Sequence, residues 1–539
     1  MITNDSTQGG SPMLAQRSWS TNSACRAHST PNSRSSSTTP SRASASPRRP
    51  SRSADSTARR RSRRSSRRLP ADMSSPPRRI HIVGVGGPGT SAIAVILREM
   101  GHEVSGSDVR ESAVLDRLRL AGVRVNVPHD DSVVRGCDIV THSAAVPEDN
   151  SELRAARGLA VDVKTRAEML GWICAQHDTI AVAGTHGKTT TTTLLALMLR
   201  AAGRDPGYLI GADVAQLPNS AHWGAGPFVI EADESDSSHR AIRPRATVLT
   251  NVDVDHLDEH GSFDGIVESF DAYLAEVRGP KVVCADDPAA RALAEKHGAI
   301  TYGISDVGSA QTRGQTTDWL ATDLRFVEGA SEFTVAGRGE RHAVRLPLRG
   351  AHNVRNFLAA FAMASEHGVD AATAVAAVRD FAGVHRRFQV RAHDGGATFV
   401  DDYGHLPAEI AAVLAAVRAE PVERRRVIAV FQPNRFNRMA VMSDAYRDAF
   451  VDADLVVVTD IYASGTRRIE GVTGRLVVDA VRSAHPSARV EWCESRESLV
   501  DFVAREAGAG DLCISMGCGD IETFPDEVVA RRRELARGR

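Results

Sequence analysis

Short apolar runs that end in glycine or a polar turn, each followed by a helically spaced apolar segment, recur along most of this chain. Examples are "IHIVG" from Ile80, "IAVAG" from Ile180 and "VIAVF" from Val427. Runs of this length that alternate with helical patterns are typical of buried strands in a mostly parallel sheet. No internal repeat stands out, which argues against a solenoid. The pattern therefore predicts an α/β protein.

Changes in this pattern divide the chain into four segments. We place them at residues 1–77, 78–178, 179–382 and 383–539. The first segment is rich in Ser, Arg, Thr and Pro and has few large apolar side chains. Because such a segment cannot bury enough surface to offset its chain entropy, we expect it to be disordered. We expect each of the other three segments to form an α/β domain.

The net charge of −1 conceals an uneven distribution. Residues 1–79 hold sixteen arginines and three aspartates, whereas the rest of the chain holds 50 basic and 64 acidic residues. An acidic body argues against nucleic-acid binding. Three interpretations of the basic head stay open: upstream sequence translated before a start at Met73, a tail with weak affinity for anionic partners, or an organelle transit peptide.

The cysteines and the hydropathy both favour a cytoplasmic protein. The seven cysteines are scattered and none belongs to a CxxC pair, so neither a zinc site nor a disulfide framework is indicated. No apolar run approaches the roughly 20 residues of a membrane span. The sequence does not fix the oligomeric state, for which we expect a monomer or a weak homodimer.

The first domain opens with a glycine pattern at the end of a strand. Gly84, Gly86 and Gly89 form G-x-G-x-x-G, and Asp108 follows about twenty residues later. This pattern is typical of a helix N-terminus that binds a diphosphate, which NAD, FAD and UDP-sugars all carry. Pro88 removes one amide donor from the turn and weakens the phosphate interpretation.

The second domain opens with "VAGTHGKTTTTT", in which a strand, a Gly-Lys-Thr turn and a helix follow one another. The turn is a shorter variant of the common phosphate-binding loop. Its consecutive amides can form an anion nest, Lys188 can reach the outer phosphates, and the Thr189 hydroxyl can ligate Mg²⁺. A nucleoside triphosphate is therefore the expected ligand.

Two acidic clusters follow later strands of the second domain, where ligands of open α/β sheets usually bind. The members of these clusters are Glu231, Asp233, Glu234 and Asp236, then Asp253, Asp255, His256 and Asp258. Oxygen ligands suit Mg²⁺, so a metal site is one interpretation and a solvated surface is the other. Further on, "GAHNVRN" places His352, Asn353 and Asn356 at the start of a helix, suited either to reading an adenine edge or to capping.

Together these stretches resemble the Mur ligase family of ATP-dependent amide ligases. The resemblance lies in nine motifs in order: "IHIVGVGGPG", "GTHGKTTTT", "EADESD", "TNVDVDHLD", "GAHNVRN", "HRRF", "DDYGH", "FQPNRF" and "DIYASG". It implies three domains: a Rossmann-like N-terminal domain that binds a UDP-sugar, a central P-loop ATPase-like domain and a Rossmann-like C-terminal domain that binds an amino acid. It also implies ATP and Mg²⁺ as cofactors.

The resemblance implies a reaction that joins L-alanine to the lactyl carboxylate of UDP-N-acetylmuramate through an acyl phosphate, in peptidoglycan precursor synthesis. It assigns the catalytic role to Lys188, Glu234, His256, Arg387 and Asp402. It assigns ATP to Gly184, Thr185, His186, Gly187, Lys188, Thr189, Thr190, His352, Asn356, Arg387 and Asp402. It assigns the metal to Thr189, Glu234 and His256. It assigns the UDP-sugar to Gly84, Gly86, Gly87, Asp108 and Ser143, and the amino acid to Tyr403, His405, Arg435 and Arg438.

Four motifs depart from the family pattern: one is the glycine turn at Pro88-Gly89-Thr90, and the other three concern the amine-acceptor side. Leu406 and Ala408 stand in "DDYGHLPAE", Asn434 and Phe436 in "FQPNRF", and His239 follows the acidic motif. These departures leave open a paralogue with another amino acid or a ligase that attaches a recycled peptide. From other classes, a nicotinamide-dependent oxidoreductase does not explain "GTHGKTT", and a non-catalytic nucleotide-binding regulator would not need Asp402 and the paired arginines.

Overall fold

A computed structural model describes residues 78–143, 145–233, 238–255, 257–305 and 317–537. The side chains of Pro88, Ser238, Asp258 and Glu259 are not described. The predicted disordered extension, residues 1–77, lies outside the described residues. The described chain belongs to one compact unit, Ser74–Arg539. Its strands form three sheets, as the α/β pattern predicts, and the domain boundaries given above stay predictions.

The first sheet has five parallel strands in the order β3-β2-β1-β4-β5. The central strand β1 is buried along four of its five residues, which explains its continuous apolar run. The elements are β1 (Arg79–Val83), α1 (Pro88–Glu99), β2 (Glu103–Ser107), α2 (Ala113–Leu120), β3 (Arg124–Asn126), β4 (Ile139–His142), α3 (Ser151–Gly158), β5 (Asp162–Thr165) and α4 (Arg166–Cys174).

The second sheet has ten strands in the order β15-β14-β13-β12-β11-β10-β6-β9-β7-β8. Its middle is parallel, and its two ends add antiparallel strands. The strands are β6 (Thr179–Ala183), β7 (Gly207–Leu209), β8 (Ala221–His222), β9 (Phe228–Glu231), β10 (Ala246–Leu249), β11 (Lys281–Cys284), β12 (Ile300–Ile304), β13 (Trp319–Val327), β14 (Ala330–Gly337) and β15 (Glu340–Leu346). The helices are α5 (Lys188–Ala201), α6 (Ser238–Ile242), α7 (Leu257–His260), α8 (Phe263–Glu276), α9 (Pro288–His297), α10 (Gly350–Glu366) and α11 (Ala371–Ala377).

The third sheet has six strands in the order β16-β17-β21-β18-β19-β20, parallel except for β16. Its strands are β16 (Gln389–Asp394), β17 (Ala397–Asp402), β18 (Arg426–Phe431), β19 (Leu455–Thr459), β20 (Val490–Cys493) and β21 (Asp511–Met516). Its helices are α12 (Pro407–Arg418), α13 (Phe436–Met442), α14 (Arg475–Ala484), α15 (Arg496–Glu506) and α16 (Phe524–Arg537). Three short 3₁₀ helices complete the described chain, at Asp131–Val134, Ser443–Asp448 and Asp520–Thr523.

Apolar cores cover both faces of the central sheet. On one face lie α5 and α10, where the Phe361 ring meets Trp319 edge-on at 5.0 Å. The core on the other face includes Phe270 and continues into the first domain through Ile82 and Ile93. Because the first and second domains share this core, their sheets are held together by hydrophobic burial and not only by the connecting chain.

Two further observations concern the hydropathy of the helices and the state of the cysteines. Within the described ranges, no helix combines the length and apolar character needed to cross a membrane. The six cysteines in the same part of the chain are all free thiols.

The threonine run of α5 is buried throughout, which explains how a helix tolerates five such residues in succession. The side chains of Thr189 to Thr193 are all less than a tenth exposed. The Thr193 hydroxyl donates to the backbone oxygen of Thr189 at 2.8 Å. The hydroxyls of Thr191 and Thr192 have no hydrogen-bond partner among the described residues. A buried hydroxyl without a partner costs free energy.

We predict that Thr192→Val stabilises the ligand-free protein. Valine keeps the shape and removes the unpaired hydroxyl, so the free energy of unfolding should rise by roughly 1 kcal/mol. Scanning calorimetry should then show a melting temperature about 2–4 °C higher. Thr193→Val is the matched control, because it removes a hydroxyl that is hydrogen-bonded, and it should give no such gain. A lower melting temperature for Thr192→Val would contradict the prediction.

Candidate active site

The predicted phosphate loop lies between β6 and α5, and two glycines determine its shape. Gly184 and Gly187 have φ angles of +117° and +82°, in the region that side chains disfavour. A Cβ at Gly187 would lie 2.3 Å from Oδ1 of Asn356, and one at Gly184 would lie 2.2 Å from Oγ1 of Thr250. The N-cap residue Gly187 offers no side chain to the first turn of α5. The amides of that turn can therefore bind an anion.

Lys188 and Thr189 begin α5 and point in different directions. The Lys188 ammonium donates to the backbone oxygens of Gly184 at 2.7 Å and Thr185 at 3.3 Å, so it lies across the loop. The Thr189 hydroxyl donates to Oε2 of Glu231 at 3.0 Å, and the Gly211 amide donates to Oε1 of the same carboxylate at 2.6 Å. The loop thus carries the Lys188 ammonium and, beside it, a pair of oxygen ligands.

The oxygen ligands are suited to Mg²⁺. Burial raises the pKa of Glu231, which the Gly211 and Thr189 hydrogen bonds and the nearby Lys188 oppose. A divalent cation would stabilise the ionised carboxylate that burial disfavours. Glu234 and His256, the other predicted metal residues, lie outside the described residues. In the described part of the chain, no three His, Cys, Asp or Glu side chains form a metal cluster by themselves. Thr189 and Glu231 could supply two ligands, leaving the rest to phosphate and water, as is usual for Mg²⁺.

His186 connects the central and C-terminal domains. Its Nε2 lies 3.0 Å from Oδ2 of Asp253, and its Nδ1 lies 3.2 Å from Oε1 of Glu409 on α12. Its amide donates to the side chain of Asn251 at 2.8 Å. Burial by itself would lower the pKa of His186, but the two carboxylates outweigh it and raise the pKa to about 9. The loop therefore carries an imidazolium at neutral pH.

A cavity of about 1130 Å³ opens between the central and C-terminal domains. It is lined on one side by the phosphate loop and on the other by the chain that leads into β16, by the end of β17 and by α12. The predicted site residues on its wall are His186, Gly187, Thr189, Thr190, His352, Asn356, Arg387 and Asp402. Residues that lie hundreds of positions apart in the sequence thus face one space that is large enough for a nucleotide.

His352 and Asn356 lie in the first two turns of α10, and the Asn356 side chain lies against Gly187 of the phosphate loop. Burial lowers the pKa of His352 to about 4, and the charges of Arg355 and Arg387 act in the same direction, so the imidazole is neutral. The Asn353 amide donates to the backbone oxygen of Arg349 at 2.8 Å, and the Asn356 amide donates to Oδ1 of Asn353 at 3.2 Å. The N-cap residue of α10 is Arg349, and no side chain caps this helix end, so the capping interpretation of Asn353 is wrong.

Asp402 is the last residue of β17, and Arg387 lies just before β16. The Asp402 carboxylate accepts hydrogen bonds from the amides of Phe388 and Gly404, both at 2.7 Å. Burial raises its pKa, while Arg387 opposes the shift. The Arg387 guanidinium lies 5.0 Å from the centre of the Tyr403 ring. The Asp402 carboxylate, held by two amides, and the Arg387 guanidinium, held against the Tyr403 ring, can therefore contact a ligand from the side of the cavity opposite the phosphate loop.

The four predicted amino-acid residues lie around the start of α12 and α13. The Tyr403 and His405 rings meet edge-on at 5.6 Å. The Arg438 guanidinium is buried and donates to Asp255 at 2.7 Å and to Asn434 at 2.8 Å. Arg435 is the N-cap residue of α13, with an unusual φ of +61°. Arg438 therefore already binds the central domain, and Arg435 has no such pairing across the domains among the described contacts.

The five predicted UDP-sugar residues are brought together at the carboxyl ends of β1, β2 and β4. The Gly86 amide donates to Oδ2 of Asp108 at 2.9 Å. A Cβ at Gly84 would lie 3.2 Å from Cβ of Ser143, and one at Gly87 would lie 3.8 Å from its Oγ. The structure thus forms a glycine turn closed by one acid and one hydroxyl, as G-x-G-x-x-G followed by an acid predicts.

The unusual His239 is a buried structural residue. Its Nε2 lies 2.9 Å from Oγ of Ser269, and its Nδ1 lies 3.3 Å from the backbone oxygen of Asp233. Burial lowers its pKa to about 4, so it is neutral. An apolar residue at this position could only pack, whereas His239 also forms these hydrogen bonds. One of them holds the backbone at Asp233, within the acidic motif.

Two residues of this site were given no individual role by the sequence, although the quoted motifs contain both. Glu231 was one of four clustered acids, and only the fold shows that it faces Thr189. Glu409 was available from "HLPAE", because Pro407 and a glutamate two residues later are typical of the first turn of a helix. That signal identifies a helix start but not the partner His186, which is 223 positions away.

Comparison with known proteins agrees with this geometry. Three family models match the chain: the Mur ligase family catalytic domain over residues 79–178, the Mur ligase middle domain over 182–364, and the Mur ligase glutamate ligase domain over 386–519. The chain belongs to the Mur ligase family, and the predicted fold class is confirmed. This membership decides against a nicotinamide-dependent oxidoreductase.

Particular relatives share one name, UDP-N-acetylmuramate–L-alanine ligase. The protein of that name from Rubrobacter xylanophilus is 39% identical, over 84% of this chain and 100% of its own, and that from Sorangium cellulosum is 41% identical, over 84% and 96%. The crystal structure of UDP-N-acetylmuramate–alanine ligase from Thermotoga maritima matches with a TM-score of 0.68 and 27% identity, covering 85% of this chain and all of that one. A murein peptide ligase from Psychrobacter arcticus matches with a TM-score of 0.60 and 25% identity, over 84% and 98%.

The raised pKa of His186 predicts a pH dependence of stability. Because the folded pKa of about 9 exceeds the ordinary value of 6.5, the contribution of His186 is complete below about pH 6.5 and is lost as the pH rises through 9. Asp253→Asn removes one carboxylate, so the pKa of His186 should fall by roughly one unit or more. An NMR titration of the imidazole measures this shift directly.

The control for this titration is Asp264→Asn, which changes an exposed aspartate of the same domain. It should leave the His186 titration unchanged. The same midpoint in the Asp253→Asn variant as in the parent protein would show that Asp253 does not set the charge of His186.

Proposed function

We propose that this chain joins L-alanine to the lactyl carboxylate of UDP-N-acetylmuramate, with ATP as the source of energy, in peptidoglycan precursor synthesis. The observation that carries the proposal is a cavity that residues of the phosphate loop share with Arg387 and Asp402 of another domain. Relatives that carry this activity in their names, at 36–41% identity over most of the chain, support it. They support the alanine ligase over the peptide-recycling alternative.

The chemistry needs an activated carboxylate, because a free carboxylate is a poor electrophile. A carboxylate oxygen attacks the γ-phosphorus of ATP, and ADP leaves with the electrons of the broken P–O bond. The amine of L-alanine then attacks the carbonyl carbon of the acyl phosphate. An amide forms, phosphate leaves, and the amine loses a proton. Both steps move negative charge, so positioning and neutralisation are the main tasks of the protein.

We expect Lys188 and Arg387 to neutralise this charge. Lys188 lies across the loop that follows β6, whose neighbours His186, Gly187 and Thr189 line the cavity, and Arg387 lines the cavity from the third domain. Asp402, held by two amides, suits a ribose hydroxyl, while His352 and Asn356 suit the base. Mg²⁺ would be held by Thr189 and Glu231, together with the predicted Glu234 and His256, and would supply charge neutralisation on the phosphates.

Tyr403, His405, Arg435 and Arg438 are the proposed amino-acid site. A guanidinium can hold the carboxylate of the amino acid by two parallel hydrogen bonds. Burial lowers the pKa of His405, while the neighbouring Glu409 opposes this shift. Gly84, Gly86, Gly87, Asp108 and Ser143 are the proposed UDP-sugar site. We expect the reaction in the cytoplasm, where ATP and nucleotide sugars are available, and we expect a monomer or a weak homodimer.

The amino-acid panel tests the proposed function. Purified protein with Mg²⁺ should release phosphate from ATP only when UDP-N-acetylmuramate and an amino acid are both present. L-alanine should give the highest kcat/KM in a panel that also contains glycine, L-serine, D-alanine and a muramyl tripeptide. Phosphate release without the muramyl substrate would refute the ligase mechanism. A preference for the tripeptide would instead establish the recycling activity.

Lys188→Ala tests the phosphate loop. Loss of the Lys188 ammonium should lower kcat by at least about a hundredfold, because stabilisation of the developing negative charge is a large share of catalysis. Circular dichroism and the melting temperature should stay close to those of the parent protein. Lys296→Ala, which removes an exposed lysine paired with Asp271, is the control and should keep normal turnover. Near-normal activity of Lys188→Ala would remove the loop from the mechanism.

A further inference from the structure

The Glu409 carboxylate makes contacts in two directions. Its Oε1 lies 3.2 Å from Nδ1 of His186 in the phosphate loop. Its Oε2 accepts hydrogen bonds from the amides of His405 at 2.9 Å and Leu406 at 3.1 Å, at the start of α12. One side chain therefore bridges the loop that faces the nucleotide and the turn that carries the proposed amino-acid residues.

The contacts continue on both sides of this carboxylate. On the loop side, the backbone oxygen of His186 accepts from the Thr250 hydroxyl at 2.6 Å. On the other side, the backbone oxygen of His405 accepts from the Tyr446 hydroxyl at 2.7 Å, and the His405 ring packs on Tyr403. The geometry of the amino-acid turn is thus tied by hydrogen bonds to the geometry of the loop.

We propose that Glu409 is a positioning residue that couples nucleotide binding to amino-acid binding. This inference rests on the proposed function and names a residue to which that function assigns no role. A nucleotide that orders the phosphate loop holds His186 in the position that Glu409 needs. The same carboxylate then holds His405 and Leu406 as the amino-acid site requires. By linkage, the amino acid must favour nucleotide binding by the same factor.

The environment makes this bridge hard to replace. Glu409 and His186 have only 15% and 17% of their side-chain surface exposed. The charged or titratable groups around the pair are Asp253, His405 and Arg387. Burial would raise the pKa of Glu409, but the neighbouring His405 and His186 outweigh it and hold the pKa well below its usual range. If the contact between Glu409 and His186 were lost, two buried charges would each lose a partner. We therefore expect this contact and the contacts of Glu409 with the amides of His405 and Leu406 to form together.

The test measures coupling and not activity alone. The full chain, saturated with UDP-N-acetylmuramate and Mg²⁺, is titrated calorimetrically with the β,γ-imido analogue of ATP. The titration is done without an amino acid and with the amino acid that gives the highest turnover in the panel. The ratio of the two dissociation constants is the coupling factor. In the parent protein it should be about fivefold or more.

Three variants decide the question. In Glu409→Gln and in His186→Asn the coupling factor should fall close to one. The double variant should show no further loss, because both changes break the same bridge. His186→Asn leaves the α12 cap intact, so it decides the matter if Glu409→Gln does not fold. Glu497→Gln, an exposed glutamate in the first turn of α15, is the matched control and should keep the coupling of the parent protein.

The outcomes separate this inference from the proposed function. A merely structural role of Glu409 would weaken both dissociation constants and leave their ratio intact, which would overturn the proposal. Absence of coupling in the parent protein would also overturn it. Absence of turnover with every amino acid of the panel would instead refute the proposed function, whatever the ratios in the variants.

Discussion

The contact between His186 and Glu409 is the interaction on which the described site depends. It fixes a domain built on one sheet against a domain built on another, and the cavity lies between them. The pair can form because each member is supported at its other atoms, His186 by Asp253 and Glu409 by the first amides of α12. Without that support, the free-energy penalty of removing both charges from water would exceed the gain from their mutual attraction.

Buried ion pairs recur at this junction. The Arg438–Asp255 pair also joins the two domains, with both side chains less than a tenth exposed. Within the third domain, Arg386 donates to Asp401 and to the backbone oxygen of Gly517, which fixes the chain before Arg387. Directional contacts of this kind give less net stability than an apolar interface, but they fix one relative placement of the charged groups. A phosphoryl-transfer site needs such placement more than it needs extra stability.

The phosphate loop illustrates how close packing and chemistry constrain the same residues. Gly187 has a left-handed backbone, and Asn356 fills the space that a side chain would need. Behind the loop, the threonines of α5 bring short, buried side chains between the sheet and α10. The sequence "GTHGKTTTTT" therefore serves two purposes: its first half exposes amides and a cation, and its second half lets two helices approach.

The sequence by itself determined the α/β class, the phosphate loop, the glycine turn with its acid, and the membership of the family. These are local patterns, in which a strand, a turn and a helix follow one another within about thirty residues. Neighbouring residues set them through backbone geometry, so one sequence is enough to recognise them.

Only the tertiary structure decided which partners each charged residue has. The resemblance assigned Arg438 to the amino acid, and only the fold shows that its guanidinium also pairs with Asp255, 183 positions away. It gave no role to Glu409, and it did not single out Glu231 from three neighbouring acids. These partners come from different strands and domains that meet only when the sheets pack. The reason is physical: the pairing of a buried charge depends on distance and solvent exclusion in three dimensions, and neither is encoded in spacing along the chain.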